Sequence, residues 1–401
     1  MLLGLFMRVL FYLPVVTPWW FERIILPLIE KLTADHEVHI LAPIFWQGTG
    51  LGQDQYDLCE DLPHIKWHIV TDNDHRSMRT DAVQKTQIIE FVRAIDPEFV
   101  LCRSADLEIT KAFPGVVRHI TEGGADPLLL PVGAVHLNEA PFDHGLLPPL
   151  TEEQRATLST LIKPYWSTLS ATPMDDAAVR EAFCSWAGLP TDRPTLFLPL
   201  EYEHKENSFV QHRVGTAPNA RLVEELIEEI DGRVFLALTN HPLNELYVDN
   251  SALEKVVEAH PHAVRLLPGE APAGSRTTPH IMRACDGVIL GNSKCYSLAG
   301  LCGTPVIRRS HFRTGEWLNA SSDLDAFVTA ICEGRAALPD KEVARIWFAF
   351  HVANNLVWPV APALTGSGIL ERMVTPIDPD RWERNFSVFA DDWAPAEGIA
   401  A

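Results

Sequence analysis

Polar side chains suited to holding a phosphate follow a predicted strand in the segment Leu238-Thr-Asn-His-Pro-Leu-Asn. His241 comes just after that strand, and Pro242 restricts the backbone, so that the imidazole, with Asn240 beside it, is held ready to donate to a phosphate or carboxylate. A His-Pro pair alone is more often a structural turn. The interpretation of His241 and Pro242 as a ligand site therefore depends on the next segment.

The segment Gly291-Asn-Ser-Lys-Cys-Tyr-Ser-Leu-Ala-Gly-Leu-Cys-Gly-Thr-Pro-Val-Ile predicts a strand end, a short helix, a glycine stop and another strand. Asn292 or Ser293 can cap the helix, and the amides at its start, with Ser293, Lys294 and Ser297, can bind a nucleotide phosphate. A plain helix cap with a solvated lysine is the alternative. The segment alone does not decide between them.

Carboxylates that can act as base or nucleophile follow two other predicted strands. Glu201, Glu203 and Glu206 come after a buried strand, and we do not expect all three to face the same way. In Ile120-Thr-Glu-Gly-Gly, Glu122 ends a strand before two glycines that let the backbone pass close to a ligand. Glu122 is therefore an acid/base candidate, with a turn carboxylate as the alternative.

Short apolar runs alternate with helical patterns along the chain, which is typical of parallel sheets covered by helices on both faces. The first strand lacks the GxGxxG that a dinucleotide-binding domain carries, which argues against NAD or FAD. Ten strands are predicted, at 8–13, 37–42, 66–70, 98–102, 117–121, 195–200, 233–239, 264–267, 287–290 and 305–308. The alternation stops and restarts, so the fold class is α/β with two Rossmann-like domains.

Three regions are expected from this alternation. We expect residues 1–172 to form a first Rossmann-like domain and residues 173–340 to form a second. Residues 341–401 are partly helical and rich in tryptophan, and we expect them to pack back on the first domain.

Composition excludes several classes of function. The 401 residues are 47% apolar and carry a formal charge of -20, which argues against a nucleic-acid partner. The seven cysteines are scattered without a CxxC pair, so a reducing cytoplasm fits better than a disulfide framework. No apolar run is long enough to span a membrane, so we expect any membrane contact to be peripheral.

The order of three segments, Glu122-Gly123, His241-Pro242 and 292–297, resembles that of bacterial sialyltransferases and Kdo transferases of GT-B fold. That resemblance implies two Rossmann-like domains facing across a cleft, with the acceptor taken by residues 1–172 and the nucleotide sugar by residues 173–340. It also implies an acid or base at Glu122, a CMP-sugar contact at His241 and Pro242, and a phosphate site in the serine segment. Residues 291–307 further resemble the capsule polysaccharide synthesis family.

Within that family, the retaining β-Kdo transferases of capsule and O-antigen synthesis are most similar. Glu206-Asn-Ser resembles the place of their proposed nucleophile, with glutamate where the family usually has aspartate. The resemblance implies a glycosyltransferase that uses CMP-Kdo or a related ulosonic acid, a glycan or glycolipid acceptor, and a role in capsule or lipopolysaccharide synthesis.

We expect no cofactor and no metal. Three Asp-x-Asp pairs, the pattern that binds the donor's metal in the other major glycosyltransferase fold, begin at Asp72, Asp323 and Asp378 in contexts that favour capping or solvated acids. Alternatives are a GT-B enzyme using a UDP- or GDP-sugar, a binding subunit without activity, and a UDP-sugar epimerase.

Overall fold

The chain forms two compact α/β units in a computed structural model that describes residues 6–46, 48–71, 78, 83–104, 106–122, 133–171, 173–203, 214 and 218–393. Among these, the first unit takes residues up to 122, residues 133–143 and His351–Asp392, and the second takes His144–Phe350. The predicted α/β class with two Rossmann-like units is confirmed by the two sheets described below.

The first unit is built on a six-stranded sheet in the order β3-β2-β1-β4-β5-β6. Its first five strands are parallel, and β6 pairs with β5 in the antiparallel sense. The strands are β1 Arg8–Tyr12, β2 Glu37–Pro43, β3 Ile65–Val70, β4 Phe99–Cys102, β5 Val116–Glu122 and β6 Val135–Asn138. The short edge strand β6 was not predicted, since its four residues include two polar ones and give little periodicity.

Alternate residues of β1 enter two different cores, as a sheet covered on both faces requires. Val9 and Phe11 pack into one apolar cluster, while Leu10 and Tyr12 pack into another. The helices that follow the first strands supply the remaining walls: α1 Pro18–Trp20, α2 Leu26–Leu32, α3 Gln53–Asp57, α4 Lys85–Ile95 and α5 Leu107–Thr110.

Pro27 lies inside the predicted helix of residues 21–32, where its missing N–H would break a regular α-helix. The chain avoids this cost with a π-helical segment, Phe21–Ile25, and a new α-helix in which Pro27 occupies the first turn. The helix is therefore present and is interrupted in the middle.

The second unit is built on a five-stranded parallel sheet in the order β11-β10-β7-β8-β9. Its strands are β7 Thr195–Pro199, β8 Phe235–Thr239, β9 Val264–Leu267, β10 Gly287–Leu290 and β11 Val306–Arg308. All five agree with the predicted strands to within two residues at either end.

Helices cover this second sheet, and Leu196 and Leu198 of β7 pack into the main apolar cluster of the unit. The helices are α6 Glu152–Ser170, α7 Ala177–Ala187, α8 Asn219–Ile230, α9 Pro242–Tyr247, α10 Ser251–Ala259, α11 Thr277–Ala284, α12 Tyr296–Cys302, α13 Leu324–Cys332 and α14 Lys341–Phe350. Short 3₁₀ turns lie at Pro173–Asp175, Pro272–Gly274, Glu316–Leu318 and Pro379–Arg381.

The C-terminal return to the first unit begins at a π-helical segment, His351–Asn355, and continues with α15 Gly366–Val374 and α16 Trp382–Trp393. Helices α6 and α14 pack on each other, so both belong to the second unit. The first division between the units therefore falls near residue 144, before the predicted boundary at 172. The second falls near residue 350, after the predicted boundary at 340. Among the described residues, no helix is both long and apolar enough to cross a membrane.

Candidate functional site

The strand order of the second sheet reverses between β7 and β10, and ligands of open α/β sheets bind at the carboxyl end of such a reversal. Glu201 follows β7 and Asn292 follows β10. The Oε1 atom of Glu201 accepts a hydrogen bond of 2.5 Å from the backbone N–H of Asn292, and Glu201 is 5% exposed. A buried carboxylate thus joins the two strand ends at the reversal.

Gly291 makes room for this carboxylate. A Cβ atom at residue 291 would lie 2.8 Å from Oε1 of Glu201, closer than side chains normally approach. A side chain at residue 291 would therefore displace the carboxylate of Glu201, which lies 90 residues earlier in the sequence.

Glu201 and Glu203, the two described carboxylates of the three after β7, face different ways. Glu203 accepts a hydrogen bond of 2.5 Å from the N–H of Asn219 at the start of α8, whereas Glu201 turns towards β10. Glu206, the nucleophile that the resemblance implies, lies outside the described residues. Its assignment stays a prediction.

His241 caps helix α9 with its own ring. Its Nδ1 atom accepts a hydrogen bond of 3.2 Å from the N–H of Leu243, and Pro242 occupies the first helical position. Because an accepting Nδ1 carries no proton, the neutral ring is protonated on Nε2. The ring of Tyr202 stacks on the imidazole with centroids 5.5 Å apart, so His241 is oriented from two directions.

Asn240 ties the end of β8 to its neighbours. Its Oδ1 atom accepts from Nδ2 of Asn244 at 2.8 Å, and its Nδ2 donates to Oδ1 of Asn250 at 3.0 Å. Asn244 also donates to the backbone carbonyl of Glu201 at 3.0 Å. This network connects the residues that follow β7 and β8, and it thereby helps to fix the position of His241.

The serine segment begins its helix later than expected. Helix α12 starts at Tyr296 with Cys295 at the cap position, whereas Asn292 or Ser293 was predicted there. The difference arises because the Oγ atom of Ser293 accepts from the N–H of Cys295 at 3.3 Å and forms a turn ahead of the helix. Asn292 is fully buried, and its Oδ1 accepts from Oγ of Ser310 at 2.6 Å.

Two other residues of the segment complete this turn. Ser297 is buried and donates to the carbonyl of Lys294 at 3.1 Å, which closes the turn onto the helix. Lys294 itself is half-buried. A positive charge therefore lies on the turn that follows β10.

Arg308, at the end of β11, is a residue of this edge that the sequence did not single out. It is buried, and its Nε donates to the carbonyl of Gly291 at 3.1 Å while Nη1 donates to Oγ1 of Thr314 at 2.9 Å. Its only signal in the sequence was a basic residue closing a predicted strand. The guanidinium adds a fixed positive charge beside the serine segment.

Glu122 lies at the corresponding edge of the first sheet, whose order reverses between β1 and β4. The indole Nε1 of Trp20 donates to Oε1 of Glu122 at 3.0 Å, and the guanidinium of Arg103 stacks 4.4 Å from the centre of the Trp20 ring. Burial lowers the pKa of Arg103, and the negative charge of Glu122 opposes that shift. Trp20 and Arg103 follow β1 and β4, so this group of three also lies at a reversal point.

In the Asp-x-Asp pairs that the structure describes, the first aspartate accepts a hydrogen bond from a backbone N–H, as the capping interpretation predicts. Asp323 caps α13 by accepting from the N–H of Ala326 at 2.8 Å, and Asp378 accepts from the N–H of Asp380 at 3.2 Å. The pair that begins at Asp72 lies outside the described residues. Among the described residues, no three His, Cys, Asp or Glu side chains are grouped so that they could hold a metal ion.

Among known proteins, only solved structures are similar to this chain, and they are similar in fold. No family model and no curated protein matches the sequence. The β-Kdo 2,7 transferase KpsC of Thermosulfurimonas dismutans is 10% identical, with a TM-score of 0.42 over 85% of this chain and 99% of that one.

Two further solved structures are similar. Anabaena Alr3699/HepE, in complex with UDP and glucose, is 10% identical, with a TM-score of 0.33 over 92% of this chain and 99% of that one. A glycosyltransferase from Rickettsia africae is 10% identical, with a TM-score of 0.34 over 98% of this chain and 100% of that one. At these scores the fold assignment rests on the strand orders of the two sheets.

Proposed function

We propose that the chain is a GT-B-type glycosyltransferase that transfers a sugar from a nucleotide-sugar donor to a glycan or glycolipid acceptor in bacterial surface polysaccharide synthesis. The observation that carries the proposal is the reversal point of the second sheet, where Glu201, His241 and residues 291–294 follow the neighbouring strands β7, β8 and β10. Binding at such a point is the general rule for nucleotides in open α/β sheets.

The donor is CMP-Kdo or a related CMP-ulosonic acid. In this proposal the Nε2–H of His241 and the ammonium of Lys294 donate to the phosphate of the donor, with the turn at Ser293 and Ser297 beside them. These contacts stabilise the charge that develops on the CMP phosphate as the glycosidic bond breaks. In the same proposal, Asn240 and Pro242 hold the His-Pro segment in position, and Asn292 holds the serine segment.

Glu122 takes the proton of the acceptor hydroxyl. The bond between the anomeric carbon and the phosphate oxygen of CMP breaks, the acceptor oxygen bonds to that carbon, and CMP leaves with its electron pair. The hydrogen bond from Trp20 orients the Glu122 carboxylate for this step. The transfer is proposed to need no metal, since no Asp-x-Asp pair lies near the serine or His-Pro segment in sequence.

A retaining enzyme would use Glu206 as nucleophile, forming a glycosyl-enzyme ester that the acceptor then attacks. Replacing Glu206 by Gln would then abolish transfer and leave CMP affinity nearly unchanged. Wild-type turnover by the Glu206→Gln variant would rule out this step while leaving the transferase itself intact.

A thermal-shift panel of CMP, CDP, UDP, GDP and NAD tests the donor class. A ligand present at about 100 times its dissociation constant should stabilise the protein by roughly 2.7 kcal/mol. Selective stabilisation by CMP supports the proposed donor, and a response to UDP or GDP supports a GT-B enzyme with that donor instead.

Product analysis separates the remaining classes. Consumption of the donor only in the presence of acceptor supports a transferase, and donor conversion without acceptor supports an epimerase. Binding without consumption of any donor would indicate a sugar-nucleotide or glycan-binding subunit and would contradict the proposed activity.

A further inference from the structure

A cavity of about 240 Å³ lies in the C-terminal part of the first unit, between residues 356–365 and helices α15 and α16. Three arginines line it: Arg372 from α15, Arg381 from the turn before α16, and Arg384 from the first turn of α16. We call it the arginine cavity. None of its residues takes part in the proposed transfer reaction.

The arginine cavity concentrates positive charge in a strongly acidic chain. Its three guanidinium groups face two lining carboxylates, Glu371 and Asp378, in a protein whose formal charge is -20. The closest ion pair joins Nη1 of Arg381 to Asp378 at 3.6 Å, longer than a well-formed hydrogen bond. One positive charge in the lining is therefore not balanced by a lining carboxylate.

Burial adds to the effect of this charge. Burial, followed by the positive charges of Arg381 and Arg384, lowers the pKa of Arg372 to about 10 against the attraction of Asp378. The buried guanidinium groups thus lie where a further negative charge would stabilise them.

The hydrogen bonds show which donors are already used. Arg372 donates to the carbonyl of Leu356 at 2.6 Å and to Oδ1 of Asn385 at 2.9 Å, so its fork is held fixed. Arg381 donates to the carbonyl of Thr375 at 3.1 Å and is 5% exposed. Its Nε finds no hydrogen-bond acceptor within the described part of the chain.

We propose that the arginine cavity binds the phosphate group of a small soluble molecule. Guanidinium groups donate in a planar fork that matches phosphate oxygens, and two of the three here are held in place by the fold. Leu364 and Val388 add apolar wall, which suits a short organic substituent on the phosphate. The net negative charge of the protein disfavours approach to an anionic bilayer, which favours a soluble source over a lipid headgroup.

Calorimetric titration of the full chain with inorganic phosphate tests the proposal. Arg384 is exposed at the start of α16, so Arg384→Ala removes a cavity charge with little risk to folding. It should weaken phosphate binding roughly tenfold, as expected for loss of one charge-assisted hydrogen bond. The matched control is Arg335→Ala, which removes an exposed arginine of the second unit and should leave the affinity unchanged.

A second variant and a chemical probe locate the bound phosphate. Arg381→Lys keeps the charge and removes the planar guanidinium fork, and it should also weaken binding. Phosphate should protect the peptides that contain Arg372 and Arg384 from modification by phenylglyoxal. Phosphate bound at the proposed donor site would respond to neither variant, so failure of the donor proposal and failure of this one are distinguishable.

Three results would overturn the proposal. The first is the absence of phosphate binding, and the second is equal affinity in wild type, Arg384→Ala and Arg381→Lys. The third concerns the source: if phosphatidylcholine vesicles containing phosphatidylglycerol sediment the protein in an Arg384-dependent manner while inorganic phosphate does not bind, the ligand is a lipid headgroup and not a soluble phosphate.

Discussion

The carboxylate of Glu201 accepts a hydrogen bond of 2.5 Å from the backbone N–H of Asn292, across the reversal point of the second sheet. One buried group thereby fixes the start of the serine segment relative to the end of β7. The geometry of the proposed phosphate site therefore depends on a residue that need not touch the donor.

Replacing Glu201 by Ala should destabilise the protein by about 2 kcal/mol, because the buried N–H of Asn292 loses its acceptor. Glu201→Gln keeps an acceptor oxygen and should cost less. Urea unfolding measures both, with Glu258→Ala, an exposed carboxylate of α10, as the control. Equal stability of Glu201→Ala and Glu258→Ala would show that the contact is not made in solution.

Gly291→Ala should destabilise the protein by about 1–3 kcal/mol, since its methyl group would displace the Glu201 carboxylate or shift β10. Gly269→Ala is the matched control, because a Cβ at residue 269 meets no atom within 4 Å. Thermal unfolding of the two variants compares them directly. A Gly291→Ala protein as stable as Gly269→Ala would contradict the close packing at the reversal point.

Trp20→Phe removes the indole donor to Glu122 while keeping an aromatic ring under Arg103. We expect kcat for transfer to fall about tenfold, as loss of one orienting hydrogen bond predicts, with CMP affinity unchanged. The neighbouring Trp19, which is 52% exposed, gives the control Trp19→Phe. If both variants have the same kcat, Trp20 does not orient Glu122.

His119 gives the stability a pH dependence. Burial lowers its pKa to about 4, whereas an unfolded histidine titrates near pH 6.5. Between these values the unfolded state binds a proton that the folded state does not, so the stabilising contribution is complete above pH 6.5 and is lost as the pH falls towards 4. The loss attributable to His119 reaches about 3 kcal/mol.

Urea unfolding of wild type and His119→Gln across this pH range isolates that contribution from the titration of carboxylates. The difference in free energy of unfolding between the two proteins should shrink as the pH falls from 6.5 to 4. A difference that stays constant over the range would mean that His119 does not titrate as its burial implies.

The sequence predicted the strands well because each is a short apolar run bounded by turn residues, as at Val264–Leu267 and Gly287–Leu290. It also predicted which segments follow strand ends, including His241 and Ser293. It did not predict the contact of Glu201 with Asn292, since that contact depends on β7 lying beside β10, and strand order leaves no local pattern. The sequence also did not predict the contacts among Trp20, Arg103 and Glu122, because they too depend on the order of the strands in the sheet.

The place of the helix cap shows a second limit of the sequence. Asn292, Ser293 and Cys295 can each stand before a helix, and the choice among them depends on whether Ser310 and Glu201 lie close enough to bind Asn292. Those partners follow β11 and β7. Local sequence therefore predicted a turn and a helix but not the residue at which the helix begins.

Calorimetric titration of CMP into wild type, Lys294→Ala and Lys255→Ala tests the central claim most directly, because Lys294 lies on the turn after β10 and Lys255 is exposed on α10. If the reversal point of the second sheet holds the donor phosphate, CMP binds wild type and Lys255→Ala equally and binds Lys294→Ala roughly tenfold more weakly. Equal affinity in all three proteins, or no CMP binding to wild type, would contradict the account.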